Sequence, residues 1–220
     1  MSSELFAAMT RSIIDGEVDD AAELARQALA QGIDPLEVIN EGYVPGVQHV
    51  GQEFSCGNAF LPELVMAGEA MKAAIAVLEP EMARRGVERT LEGRVVIGTV
   101  KGDIHEIGKT LVGTLLTAHG FEVYDLGVDV EVTSFVEKAR AVNADLVGLS
   151  ALLTTTMVVQ RKVIQALEES GLRPGVQVMV GGAPVTRQWA AEIGADGYAE
   201  DATGAVQLAR ELMAKARSQE

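Results

Sequence analysis

Arg94-Val-Val-Ile-Gly-Thr-Val-Lys-Gly-Asp-Ile-His-Glu-Ile-Gly108 is the stretch on which the fold is decided. Its first seven residues form an apolar, largely β-branched run too short for a buried helix, and a helix-like pattern follows from Lys109 to His119. A strand, a loop and a helix in that order form the opening of a βα unit. Loops of this kind lie at the carboxyl edge of a parallel sheet, where α/β proteins bind ligands. This one places His105 two residues after Asp103. A His facing a ligand can act as a base or as a metal ligand, and a neighbouring carboxylate fixes its tautomer and raises its basicity. His105 could equally do no more than cap the helix that follows.

Downstream, strands and helices alternate. Strands are predicted at 94 to 100, 121 to 125, 145 to 150, 175 to 180 and near 196 to 198. The intervening helices fall at about 108 to 119, 131 to 142, 155 to 170, 184 to 193 and 203 to 216. Five βα units with right-handed crossovers make an α/β, doubly wound, flavodoxin-like five-stranded parallel sheet with helices on both faces. Gly98, Gly102 and Gly108 do not fit Gly-x-Gly-x-x-Gly, and there is no Gly-Lys-Ser/Thr phosphate loop, so nicotinamide and ATP lose their support. The third strand ends in hydroxyls, Gly148-Leu-Ser-Ala-Leu-Leu-Thr-Thr-Thr156, and the fourth in Gly181-Gly182-Ala-Pro184. Small residues at adjoining strand ends leave a slot for a bulky ligand, and glycine lets backbone approach it. Hydroxyls there also serve as N-caps, and paired glycines are common in strand-to-helix turns.

Upstream of the sheet the pattern is helical from the start to Pro80. Leu5, Met9 and Ile13 mark a first helix, Asp15-Gly16 breaks it, and Val18 to Ala30 forms a second. Asp34-Pro35 reads as an N-cap with Pro in the first turn, opening a third helix that Pro45 should kink. A fourth starts near Leu61 and is predicted to stop at Pro80. These make an N-terminal four-helix bundle, 1–80. The turn from Gln52 to Leu61 holds Phe54, Phe60 and Leu61, which could simply staple two helices together. The charged segment 81–93 reads as a linker, leaving 94–220 for the Rossmann-like sheet domain.

Composition narrows the classes. The 220 residues are 48% hydrophobic with few aromatics, enough for a buried core, and the formal net charge is -14. That charge opposes binding to nucleic acid or to an anionic membrane. Neither a signal-peptide pattern nor an uninterrupted apolar span of membrane length occurs, so a soluble, cytoplasmic chain is expected. The single cysteine, Cys56, rules out an intramolecular disulfide and a Cys-only metal site.

Asp103-x-His105-x-x-Gly108, then Ser150-x-Leu152, then Gly181-Gly182 resembles the signature of corrinoid proteins that bind cobalamin with its nucleotide tail displaced. The run Gly51-Gln-Glu-Phe54 through Phe60-Leu-Pro-Glu63 resembles the helical cap of the methyl-carrying members. The resemblance covers nearly all of the chain. It is strongest to the small corrinoid methyl carriers of methylamine and methanol methyltransferase systems, and extends to the cobalamin module of cobalamin-dependent methionine synthase.

The resemblance implies a fold, a cofactor and partners. The cofactor would be cobalamin, as methylcobalamin or a related corrinoid, with His105 as the lower ligand of cobalt. Asp103 would accept the other ring N–H of His105, and Thr156 would extend that chain. Gly102, Ile104, Glu106 and Gly108 would complete the loop beneath the corrin. Ser150, Leu152 and Thr154 would meet the displaced tail, Gly181 and Gly182 would shape its slot, and Ala202 would lie beside it. Phe54 and Leu61 would cover the methyl-bearing face. The chain would then carry a methyl group from a substrate-specific methyltransferase, acting on a methylamine, methanol, betaine or a similar donor, to a second methyltransferase, with a corrinoid-reactivating protein as a further partner. It would be a carrier subunit rather than a complete enzyme. A cobalamin-binding regulator, or a subunit of an adenosylcobalamin-dependent mutase, would share parts of this pattern. The first would need a basic DNA-binding segment and the second a substrate barrel.

Overall fold

The structure, a computed structural model, describes residues 2–85 and 91–217 and forms two compact units, Met1–Thr90 and Leu91–Glu220. No helix among the described residues is long and apolar enough to cross a membrane.

In the first unit, α1 (Ser2–Ile14) buries Met9 and Ile13 and ends at Gly16, whose φ of 70° turns the chain into α2 (Val18–Ala30). The buried face of α2 is Ala21, Ala25 and Ala28, and it packs on α5 (Leu61–Arg85), which buries Ala67, Gly68, Ala70 and Ala74. Small side chains on both helices leave the contact close. The Asp34 Oδ1 accepts the N–H of Leu36 at 2.9 Å, opening α3 (Pro35–Glu37) as expected for an N-cap followed by Pro. A π-helical stretch, Val38–Tyr43, then leads into α4 (Val44–Ser55). Pro45 has no N–H to give to the preceding turn, and the widened stretch lies immediately before it. The three pieces follow one another without a break, so the described residues of the unit form four helical rods.

The helix end expected at Pro80 is not found, because α5 continues to Arg85 with Pro80 inside it. Pro80 and Ala76 are both exposed, so the carbonyl that loses its partner faces solvent, while buried Met82 holds the last turn against the unit. Of the expected linker, 81–85 is therefore helix and 86–90 lie outside the described residues. At its far end, Glu92 donates its N–H to the Gly120 carbonyl of the second unit at 3.1 Å.

The second unit runs β1 (Arg94–Thr99), α6 (Ile107–Ala118), β2 (Glu122–Asp125), α7 (Val132–Ala141), β3 (Leu146–Ser150), α8 (Met157–Glu169), β4 (Gln177–Gly181), α9 (Arg187–Glu192), β5 (Gly197–Tyr198) and α10 (Ala202–Arg217). The strands are all parallel in the order β2-β1-β3-β4-β5, the flavodoxin arrangement. β1 and β3 are buried along nearly their whole length, as central parallel strands covered on both faces must be. On one face Val96, Val147 and Val178 meet Phe135 and Ala139 of α7 and Val163 and Leu167 of α8. α6 and α10 pack together, burying Leu115, Leu116, Ala209 and Leu212.

The register decides where the loops emerge. Thr99 pairs with Ser150, and Ser150 with Gly181, so β1, β3 and β4 end level. The chain order reverses between β1 and β3, which is where doubly wound sheets open a crevice at their carboxyl edge. The turns after β3 and β4 also meet closely: Ala151 donates its N–H to the Gly181 carbonyl at 3.1 Å. Gly182 has φ 125°, and a Cβ there would lie 1.9 Å from the Ala151 carbonyl oxygen. Gly182→Ala should therefore cost about 3 kcal/mol, since it combines overpacking against backbone with a strained φ. Urea unfolding measures this, and a loss below about 0.5 kcal/mol, the range of a neutral surface change, would contradict the contact.

Candidate functional site at the sheet edge

The loop after β1 begins with a tight turn. Asp103 donates its N–H to the Val100 carbonyl at 3.1 Å, and the third residue of that turn, Gly102, has φ 86°, the left-handed conformation for which glycine is suited. The turn drives the Asp103 side chain inward to 1% exposure. Its Oδ1 then accepts the backbone N–H of His105 at 3.1 Å and lies 2.6 Å from the ring Nδ1 of His105. Its Oδ2 accepts from the Leu152 N–H at 2.7 Å, from the Leu153 N–H at 3.2 Å and from the Thr156 hydroxyl at 2.7 Å. The Leu153 carbonyl is a competing acceptor for that hydroxyl at 2.9 Å, but its single proton gains more from the ionised oxygen.

These contacts set the charge and tautomer. Burial alone would raise the Asp103 carboxyl strongly. The bonds from the His105 ring, the Leu152 N–H, Thr156 and the His105 N–H outweigh it and hold the group well below the usual carboxylate range. An ionised carboxylate only accepts, so with a neutral ring the proton between them belongs to Nδ1. Nε2 is left with a lone pair, and among the described residues it has no hydrogen-bond partner. The His105 side chain is 46% exposed, so this nitrogen reaches the surface of the crevice.

Neither α6 nor α8 uses His105 or Thr156 as a side-chain cap. α6 begins at Ile107 with Glu106 in the cap position, so His105 does not cap it. Thr156 does occupy the N-cap position of α8, but its hydroxyl makes no cap bond and turns to Asp103. Ser150 is half-buried at the end of β3, Thr154 is exposed, and Ala202 is buried at the start of α10. Gly102, Ile104, Glu106 and Gly108 all lie in the loop after β1 or the first turn of α6. Phe54 and Leu61 belong to the helical unit, where both are half-buried. Phe60 between them is 69% exposed, and its N–H is held by Glu63 Oε2 at 2.5 Å.

Other contributors carry weaker sequence signals. Thr99, fully buried at the end of β1, donates its hydroxyl to the His105 carbonyl at 2.7 Å. A hydroxyl closing an apolar strand is the only hint of that role. Lys109 in the first turn of α6 is buried and pairs with Asp125 at the end of β2. Asp129, from the loop after β2, also touches the His105 loop. Such contacts join distant segments, and nothing in either segment announces them.

The loops beside His105 expose several large apolar side chains. Ile104 and Ile107 are 75% and 73% exposed, and Leu152, Leu153 and Val158 are also exposed, all of them on the two loops and helix starts that flank His105. Large apolar side chains left bare together mark a binding surface. Among the described residues no group of three or more His, Cys, Asp or Glu could hold a metal ion. The edge thus offers a single imidazole nitrogen beside exposed apolar side chains, so any metal held there would need its remaining ligands from elsewhere.

Asp103→Ala would leave five donors without their acceptor. It should lower stability by about 3–5 kcal/mol, since each unpaired buried donor costs about 1–3 kcal/mol. A carboxyl depressed in the folded state stabilises it fully above the unfolded value and loses that contribution as pH falls toward the folded value. The stability gap between wild type and Asp103→Asn should therefore shrink below about pH 4, the ordinary range of an Asp. Chemical unfolding at several pH values checks both expectations, and a gap that widens on acidification would contradict the ionised carboxylate.

The chain has relatives over both of its units. The family described as "B12 binding domain" matches residues 93–207, and a second family of the same description matches residues 5–79. Trimethylamine corrinoid protein 2 of Methanosarcina acetivorans is 51% identical over 203 residues, covering 92% of this chain and 94% of its own. Dimethylamine corrinoid protein 2 of Methanosarcina mazei is 48% identical, covering 96% and 97%. Among solved structures, the methanol:cobalamin methyltransferase complex MtaBC of Methanosarcina barkeri has a chain that superposes with a TM-score of 0.85 at 30% identity, covering 96% of this chain and 80% of that one.

Proposed function

This chain belongs to the family of corrinoid proteins built on B12 binding domains, and from that premise we propose that it carries a methyl group between two methyltransferases, with His105 as the protein's ligand to cobalt. One observation supports the ligand assignment above others: the 2.6 Å contact from His105 Nδ1 to buried Asp103, which leaves the Nε2 lone pair of a half-exposed ring for a ligand. When bound, the corrinoid supplies a cobalt centre able to accept and give up a methyl group.

The chain's own residues do the rest. Asp103 keeps the proton on Nδ1, so that Nε2 would be available to the metal. Thr156 and the N–H groups of Leu152 and Leu153 hold the carboxylate in place beside the ring. Ser150, Leu152 and Thr154 would meet the displaced tail beside the level ends of β3 and β4, with Gly181 and Gly182 keeping backbone close and Ala202 offering little bulk. Gly102, Ile104, Glu106 and Gly108 would form the floor around the ligand. Phe54 and Leu61, from the helical unit, would help to shield a bound corrinoid from water between encounters.

The partners would be a substrate-specific methyltransferase, a second, accepting methyltransferase and a protein that reactivates oxidised corrinoid. The relatives named for trimethylamine and dimethylamine differ little in identity to this chain, 51% against 48%, which fits a donor chosen by the partner enzyme rather than by the carrier.

The test is methyl loading. The chain is reconstituted with reduced corrinoid, and labelled trimethylamine, dimethylamine, monomethylamine, methanol or glycine betaine is added with the matching methyltransferase. Label should appear on the chain-bound corrinoid with at least one donor, and should leave it when an accepting methyltransferase and its thiol are supplied. A loaded chain that accepts label from none of the five would overturn the carrier reading.

A further inference from the structure

Asp129 lies in the loop between β2 and α7 with φ 54°, a left-handed conformation that residues other than glycine seldom adopt. Glycine would satisfy that backbone more easily, yet the side chain here is used. Its Oδ1 accepts the N–H of Gly102 at 2.8 Å, and its Oδ2 accepts from Lys101 Nζ at 3.0 Å. Its own backbone N–H donates to the Asp103 carbonyl at 2.8 Å. Asp129 thus holds both ends of the Gly102–Asp103 pair, at the left-handed glycine where the loop could most easily swing. The next residue, Val130, bridges to Val100 and anchors the brace to the sheet. Leu152, Leu153 and Thr156 grip the Asp103 carboxylate from β3, while Asp129 grips the Asp103 backbone from β2.

We propose that Asp129 is a positioning residue for the cobalt ligand: it locks the Gly102–Asp103 backbone so that Asp103 meets His105 Nδ1 and leaves Nε2 free. The proposal rests on the reading of His105 as that ligand. The part that matters is the pair of hydrogen bonds to Gly102 and Asp103. The Lys101 contact is on the surface, 45% exposed and shared with Glu131 at 3.0 Å, and contributes little because solvent screens it.

The experiment reads the His105 tautomer by nitrogen-15 NMR of the corrinoid-free chain, at a pH where the imidazole is neutral. Wild type should show Nδ1 protonated and Nε2 bare. In Asp129→Ala the two nitrogen signals should converge toward the averaged values of a free imidazole. Asp129→Asn can still accept from Gly102 and tolerates the left-handed backbone, so it should restore the wild-type pattern. Lys101→Met should leave that pattern unchanged. Wild-type signals in Asp129→Ala would reduce Asp129 to a stabilising contact and overturn the proposal, as would equal disturbance in the Ala and Asn variants. No corrinoid is present, so the result does not depend on whether His105 binds cobalt. A failed ligand reading would show separately, in the spectrum of the loaded protein.

Discussion

A carboxylate taken out of water costs several kcal/mol unless donors replace its hydration. At Asp103 they come from two loops: the N–H and ring of His105 on one oxygen, and two backbone N–H groups with the Thr156 hydroxyl on the other. Charge-assisted bonds of this kind are worth about 1.5–3 kcal/mol each, so together they suffice to keep the group ionised in a buried position. The dependence runs both ways. The carboxylate stays charged because the loops converge on it, and the loops are ordered because each has donors that only this acceptor satisfies.

Convergence depends on topology. Asp103 and Thr156 are far apart in the chain, and they meet because β1 and β3 are neighbours whose ends lie level, Thr99 beside Ser150. The crossover through α6, β2 and α7 makes them neighbours and opens the crevice between their loops. His105 extends from that crevice, held at its ring by Asp103 and at its carbonyl by Thr99. The residue is therefore fixed once through its ring and once through its backbone, with Nε2 left unpaired among the described residues.

Much of this was legible in the sequence, for local reasons. The β-branched runs and their spacing mark the five strands, and Asp34-Pro35 marks a helix start. The Asp103-x-His105 spacing sets an Asp beside a His within one loop. The features that were not legible depend on context. Pro80 is a stop signal in isolation, yet α5 passes through it, because the face where the bond is lost is wet and Met82 beyond it is buried. Gly182 reads as slot lining, whereas its immediate constraint is the Ala151 carbonyl pressed against it. Thr156 by position alone reads equally well as an N-cap; the resemblance joins it to Asp103, and in the fold its hydroxyl turns that way. Asp129 carries no motif at all, since its partners lie in another βα unit.

The central claim is that the nitrogen beneath cobalt comes from His105 and not from the cofactor. Electron paramagnetic resonance of the loaded chain in the Co(II) state, made once with ordinary histidine and once with nitrogen-15 histidine, tests it most directly. The axial nitrogen splitting should change from a triplet to a doublet on labelling, as a spin-1 nucleus is replaced by a spin-½ one. A triplet that survives labelling would place the cofactor's own base on the metal and contradict the account.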